Sequence, residues 1–331
     1  MKELHQILDA LQAVPESGTA LATLVRVAGS SYRRPGARLL VMADGRRVGS
    51  ISGGCLEDDV IIHAREILAG GGARTITYDT TTENDLLWGV GLGCRGVVHV
   101  LLEKLPPSPA WADVVRENLR RRASTELAVV WDGPDRTRLG TCLAAHLASA
   151  PAAAVFRQIV RPPTALVIFG AGPDVPPLVR LAKDLGWQVT VADPRPAGAT
   201  PGRFPEADGV LALRPEEVPA DLALDADTLV VVMTHRYRHD VPLLRALLPL
   251  PLAYLGLLGP RQRAEKILSD LVAEGFEVTP EMRARLHAPV GLDLGAEGPE
   301  EVALAILAEM TAVRAGRDGR PLRDREKPIH G

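Results

Sequence analysis

The feature that most narrows what this chain can fold into is a short apolar run, Ala165 to Phe169, that stops at Gly170-Ala171-Gly172. A helical pattern through Leu178, Leu181 and Leu185 follows, and a second apolar run, Trp187 to Ala192, then closes on Asp193. Glycines between a strand and a helix, with a carboxylate ending the next strand roughly 20 residues on, seat a pyrophosphate on a helix N-terminus and a ribose on the acid. Runs at Asp208 to Leu213, Thr228 to Met233 and Ala253 to Leu257 alternate with helical patterns at Val241 to Leu248, Arg261 to Ala273 and Glu300 to Met310. Such alternation predicts an α/β fold, a Rossmann-type doubly wound parallel sheet over residues 164–315, with 316–331 as a tail.

The same motif predicts weak binding of ordinary dinucleotides. Val175 stands where a third glycine would let helix and strand pack closely, and Pro173, Pro176 and Pro177 carry no N–H to face a phosphate. Gly170, Gly172, Asp174 and Asp193 are candidate cofactor contacts. Asp193 also reads as the cap of an Asp-Pro turn, with Arg195 then available to a ribose phosphate. Thr234-His235 ends a strand at the carboxyl edge of the sheet, where doubly wound folds bind ligands, so Thr234 is a candidate contact and His235 a candidate acid/base group. His235 and His239 are spaced to share a helix face, with no evident third ligand for a metal.

A chain of 331 residues exceeds the size of one ordinary core, which predicts a second domain over residues 1–150. Leu4, Ile7, Leu8 and Leu11 repeat at helical spacing, and Leu21 to Val27 reads as a buried strand. Leu39 to Met42 and Arg47 to Ser52 flank an Asp44-Gly45 hairpin turn, and a helix follows from Leu56 to Leu68. Strands at Arg74 to Tyr78 and Val97 to Leu102 enclose a glycine-rich loop, Gly89 to Gly96. A helix at Ala110 to Arg121 and a strand at Leu127 to Trp131 complete this half. The Ala/Pro-rich segment from Ala148 to Pro163 reads as linker, with residues 151–163 between the domains.

No uninterrupted apolar run is long enough to span a membrane, and the amphipathic N-terminus is unlike a signal peptide. With 38 basic against 41 acidic residues there is no electrostatic case for nucleic acid or an anionic membrane, so the reading is a cytoplasmic protein. Three scattered cysteines exclude a disulfide framework or a structural zinc site, but not reactive thiols.

Ser52-Gly53-Gly54-Cys55 lies at a strand-to-helix junction, where the helix dipole favours a thiolate, although Glu57, Asp58 and Asp59 in the first turn oppose that shift. Gly91-Leu92-Gly93-Cys94-Arg95-Gly96 is a second such loop, with a guanidinium beside the thiol. The polar loop Gly29 to Gly36, with Ser31 and Arg33, reads either as an anion cradle or as a solvated turn. Cys142 has apolar neighbours and reads as core, and His63 and His287 read as structural.

These motifs together resemble the XdhC/CoxI family, the accessory proteins of xanthine dehydrogenase-type molybdenum hydroxylases. The matching text is Gly29-Ser-Ser-Tyr-Arg-Arg-Pro-Gly36, Ser52-Gly-Gly-Cys-Leu-Glu57, Gly91-Leu-Gly-Cys94, Gly170-Ala-Gly-Pro-Asp174, Thr234-His235, Gly256-Leu-Leu-Gly259 and Pro289-Val-Gly-Leu-Asp-Leu-Gly-Ala296. The resemblance implies a chaperone that binds molybdenum cofactor, protects it while a cysteine desulfurase installs its sulfido ligand, and delivers it to an apo molybdenum hydroxylase. Cys55 and Cys94 would then contact the molybdenum centre or the transferred sulfur. Ser31, Arg33, Gly53, Gly54, Gly93 and Arg95 would line the cofactor, and the pterin phosphate, sometimes extended to a dinucleotide, would give the Rossmann half a ligand. Arg95 departs from the family, which commonly has glycine there. The alternative is an NAD(P)-dependent oxidoreductase with His235 as its proton-transfer group, and a homodimer is expected in either case.

Overall fold

A computed structural model describes residues 2–13, 18–79, 96–147, 153–218, 222 and 224–326. The chain folds as two compact units, Met1–Pro162 and Pro163–Gly331.

The first unit is built on an antiparallel sheet of five strands, β1 (Thr19–Gly29), β2 (Arg38–Met42), β3 (Arg47–Gly49), β4 (Arg74–Asp79) and β5 (Gly96–Leu105), in the order β3-β2-β1-β5-β4. Ala20, Ala22, Leu39, Val100 and Leu102 cover one face with Val60, Ala64 and Ile67 of α2 (Glu57–Leu68). Leu21, Leu40 and Leu105 on the other face pack with α1 (Lys2–Ala13), α3 (Ala110–Arg120) and Leu127. The period-two alternation of buried residues along β1 and β5 thus serves two cores.

A second sheet, in the order β7-β6-β8, consists of β6 (Thr125–Asp132), β7 (Gly140–Leu143) and β8 (Ala154–Val160). The linker expected at 151–163 is therefore largely strand. β8 pairs antiparallel with β6, and its distant partner, together with the surrounding alanines and prolines, hides it from a local reading. A buried polar layer joins the sheets. Arg38 donates to the Gly36 carbonyl and to Gln158 Oε1 at 2.7 Å, while Glu103 accepts from the Thr141 N–H at 3.0 Å. Burial lowers Arg38 to about 10 against the opposing pull of Glu103, and burial lifts Glu103.

The second unit contains β9 (Ala165–Phe169), α4 (Val175–Asp184), β10 (Gln188–Asp193), β11 (Gly209–Ala212), β12 (Thr228–Val232), α5 (Tyr237–Leu247), β13 (Tyr254–Leu257), α6 (Arg261–Ala273), α7 (Pro280–Arg285), β14 (Leu286–His287) and α8 (Pro299–Arg314). Its strands pair in parallel in the order β11-β10-β9-β12-β13-β14, the strand order of a Rossmann fold, with the topological switch between β9 and β12. Helices α4 and α8 share one core with the sheet, α5 and α6 the other. Fully buried β12 is the consequence of cover on both faces. His287 stacks on Tyr254 at 4.3 Å and meets Glu309 at 3.0 Å, the structural role expected of it. Among the described residues no helix is long and apolar enough to cross a membrane.

Candidate functional site

In the first unit the site is the turn from β3 into α2. Glu57, the first residue of the helix, folds its carboxylate back into the turn, where it accepts from the backbone N–H groups of Ile51 (3.1 Å), Ser52 (3.0 Å), Gly53 (3.2 Å), Gly54 (2.9 Å) and Leu56 (3.2 Å). The hydroxyls of Ser50 and Ser52 donate to it as well. Burial opposes its ionisation, but the hydrogen bonds from Ser52, Ser50 and the backbone win and hold it at about 2. The sequence predicts only that Glu57 opposes a thiolate; its larger effect is to shape the turn.

With the amides on either side pointing inward, Cys55 is exposed together with Gly53 and Gly54, and its thiol is free. Gly53 has φ +90°, and a Cβ there would lie 2.8 Å from the Tyr32 ring, so only glycine fits. Among the described residues no atom lies within 4 Å of where a Cβ on Gly54 would stand.

The neighbouring loop is less available than its composition suggests. Arg33 forms a two-pronged ion pair with Glu3 of α1, so this guanidinium fastens the loop to the helix. Ser31 is half-buried beside it. Gly93, Cys94 and Arg95 lie outside the described residues. Cys142, expected in the core, is half-buried: β7 is an edge strand, and with Glu103, Trp111 and His146 the thiol lines a cavity of about 190 Å³. Among the described residues no cluster of His, Cys, Asp and Glu could hold a metal ion.

In the second unit the site is the carboxyl edge at the switch point. A Cβ on Gly170, at φ +128°, would run into the Met233 carbonyl, which explains the glycine at the closest approach of β9 and β12. His235 Nε2 lies 2.7 Å from Asp174 Oδ2, so a residue from each side of the switch meets at the mouth of the glycine turn. His235 holds a left-handed backbone, φ 54°, and is 53% exposed on its side chain. It precedes α5, whereas His239 lies within that helix, so the expectation of a shared helix face does not hold. The left-handed residue breaks the helical path before it begins.

Two further candidates are held by internal partners. Thr234 donates its hydroxyl to buried Asp240, which also binds Arg263 through Nε at 2.9 Å. Asp193 and Arg195, read from sequence as alternatives, bind each other: Nε and Nη2 of the guanidinium each lie 2.8 Å from a different carboxylate oxygen. Burial opposes the charge of Asp193, but the side-chain and backbone bonds of Arg195 and the Ala171 N–H outweigh it and hold the carboxyl below its ordinary value. The missed networks of Glu57 and Asp193 had local signals, an acid directly after Gly-Gly-Cys-Leu and an acid two residues before an arginine.

A thiol-bearing glycine turn in one unit and a Rossmann sheet in the other define a two-unit α/β protein with a nucleotide-binding type of fold. Family models match both halves: one described as the XdhC Rossmann domain covers residues 166–310, and one described as the XdhC and CoxI family covers residues 16–79. A protein of Bacillus subtilis (strain 168) described as a probable xanthine dehydrogenase subunit is 36% identical over 95% of this chain and 98% of its own length. The Escherichia coli (strain K12) "Molybdenum cofactor insertion chaperone PaoD" is 28% identical over 90% of this chain and 84% of its own. A crystal structure of a xanthine dehydrogenase from Bacillus halodurans superposes with a TM-score of 0.82 at 30% identity, covering 98% of both chains. The chain belongs to the XdhC and CoxI family.

Proposed function

We propose that this protein binds molybdenum cofactor, shelters it while a cysteine desulfurase installs the terminal sulfido ligand, and delivers it to an apo molybdenum hydroxylase of the xanthine dehydrogenase type. The observation that carries the reading is the free, exposed Cys55 thiol on a turn locked by Glu57. It is supported by a relative named as a molybdenum cofactor insertion chaperone.

The donor chemistry fits the group. A thiolate is a soft ligand suited to a sulfur-ligated metal centre, and the glycines beside Cys55, with no described residue crowding Gly54, suit the approach of a bulky ligand to the backbone. When bound, the cofactor supplies the molybdenum and sulfur chemistry that the client hydroxylase uses. Cys55 presents its sulfur, with Cys94 as the second thiol by the family pattern. Glu57 holds the turn in shape. An oxidoreductase that uses unphosphorylated NAD is disfavoured, because Asp193, the acid that would hold the ribose diol, is occupied by Arg195.

Protein isolated from a molybdopterin-producing host is expected to carry a pterin, read by fluorescence and mass spectrometry. Cys55→Ala is expected to lower activation of apo-hydroxylase by about tenfold or more, the scale of a disturbed metal-site contact. Unchanged activation would remove the thiol from this reading.

A further inference from the structure

In dinucleotide-binding folds the acid that ends the second strand holds the ribose hydroxyls. Asp193 occupies that position at the end of β10 and is 2% exposed. Its two oxygens accept from the Arg195 backbone N–H at 2.9 Å and from Nε and Nη2 of the same residue at 2.8 Å. Gly198 closes over it: a Cβ on that glycine would stand 3.4 Å from Asp193 Oδ1 and 3.4 Å from the Ala171 side chain. A carboxylate with three donors on its two oxygens, cut off from solvent, offers no acceptor within reach of a diol.

Arg195 is the group left facing outward. Its side chain is 44% exposed, and its fork is ordered from behind by the buried acid. Exposed Arg236 and Arg238, between β12 and the first turn of α5, act on His239, which also feels the charge of Asp193, so these charges share one neighbourhood. The other acids of the edge are engaged, Asp174 with His235 and Asp240 with Thr234 and Arg263. A guanidinium ordered in advance loses little further freedom on binding an oxyanion, and the cationic surroundings favour one.

We propose that Arg195 makes this edge a reader of a phosphate monoester at the place where dinucleotide folds read a ribose diol. The ligand class of the second unit is then phosphate-ended, whether the phosphate sits on a nucleotide ribose or on a pterin; the pterin source rests on the reading above, the recognition chemistry does not.

Calorimetric titration of the full chain tests this with two pairs of probes. The first is adenosine 2′,5′-bisphosphate against AMP, the second a pterin phosphate before and after phosphatase treatment. The expected result is a preference of about tenfold or more for the phosphorylated member of at least one pair, and the responding pair identifies the source. Arg195→Ala is expected to erase that preference and Arg195→Lys to retain part of it, with thermal unfolding confirming that both variants fold. Equal affinities in both pairs, no measurable binding in either, or a preference that survives Arg195→Ala would overturn the proposal. Protein isolated without a pterin, but with an intact Arg195-dependent preference, would count against the chaperone reading and leave this one standing.

Discussion

The Cys55 turn and the Gly170 turn invite comparison, because each is a glycine-lined passage from a strand into a helix with one of the chain's own carboxylates beside it, held by internal donors. In the first unit the acid comes from the helix that follows, and Glu57 gathers the amides of residues immediately before it. In the second it comes from the end of the neighbouring strand β10, and Asp193 is bound by the backbone and side chain of Arg195. The first clasp leaves a thiol exposed, and the second leaves a guanidinium. A glycine-rich turn before a helix is therefore not in itself an anion site. Which internal acid lies beside it decides what it offers a ligand.

If the first turn is a clasp closed by one side chain, Glu57→Ala is the variant with the largest effect. It strips the acceptor from five backbone N–H groups and two hydroxyls at once. Bonds to a charged acceptor are worth about 1.5–3 kcal/mol each, and not all the donors can turn to water, so the expected loss is at least about 3 kcal/mol in denaturant unfolding. Hydrogen exchange at residues 51–56 should rise far more than at residues 165–172. A uniform rise in both turns would show that the clasp is not local and would break the comparison.

Asp193→Asn probes the second clasp and should cost less, about 2 kcal/mol at neutral pH, because Arg195 is partly exposed and can turn to solvent. The carboxyl is held below its ordinary value of 3.8, so the stability it contributes is present above that value and is lost as pH falls below it. The gap in unfolding free energy between the native chain and Asp193→Asn should therefore be constant near neutrality and shrink below about pH 3.8. A gap that widened on acidification would contradict the hydrogen-bonded carboxylate.

Much of this architecture is legible in the sequence, for physical reasons that can be named. Ala165 to Phe169 and Thr228 to Val232 are apolar because both faces of a parallel sheet are covered, and Asp44-Gly45 marks its hairpin because Gly45 adopts φ +89°. The strand β8 is not legible, since Val155 and Ile159 alternate with inward Phe156, Gln158 and Val160 within an alanine- and proline-rich setting whose partner lies far away in sequence. Position along the chain identifies Cys55, Asp193 and His235 as candidates. It does not show that Asp193 is closed off by Arg195, nor that Arg33 is taken up by Glu3, because side-chain pairing depends on the packed geometry.

The smallest expected effect lies at the mouth of the second turn, where backbone strain and an ion pair act on one residue. The left-handed backbone of His235 costs about 1 kcal/mol or more, while its pairing with Asp174, half-exposed, returns less than about 1 kcal/mol. His235→Ala keeps the strain and loses the pair, and is expected to cost up to about 1 kcal/mol. His235→Gly loses the pair but also sheds the strain, offset in part by the greater freedom of glycine in the unfolded chain, so its stability should lie within about 1 kcal/mol of the native value and above that of the alanine variant. Thermal unfolding of the two variants side by side separates backbone from side chain. A glycine variant less stable than the alanine variant would mean that the backbone at His235 is unstrained.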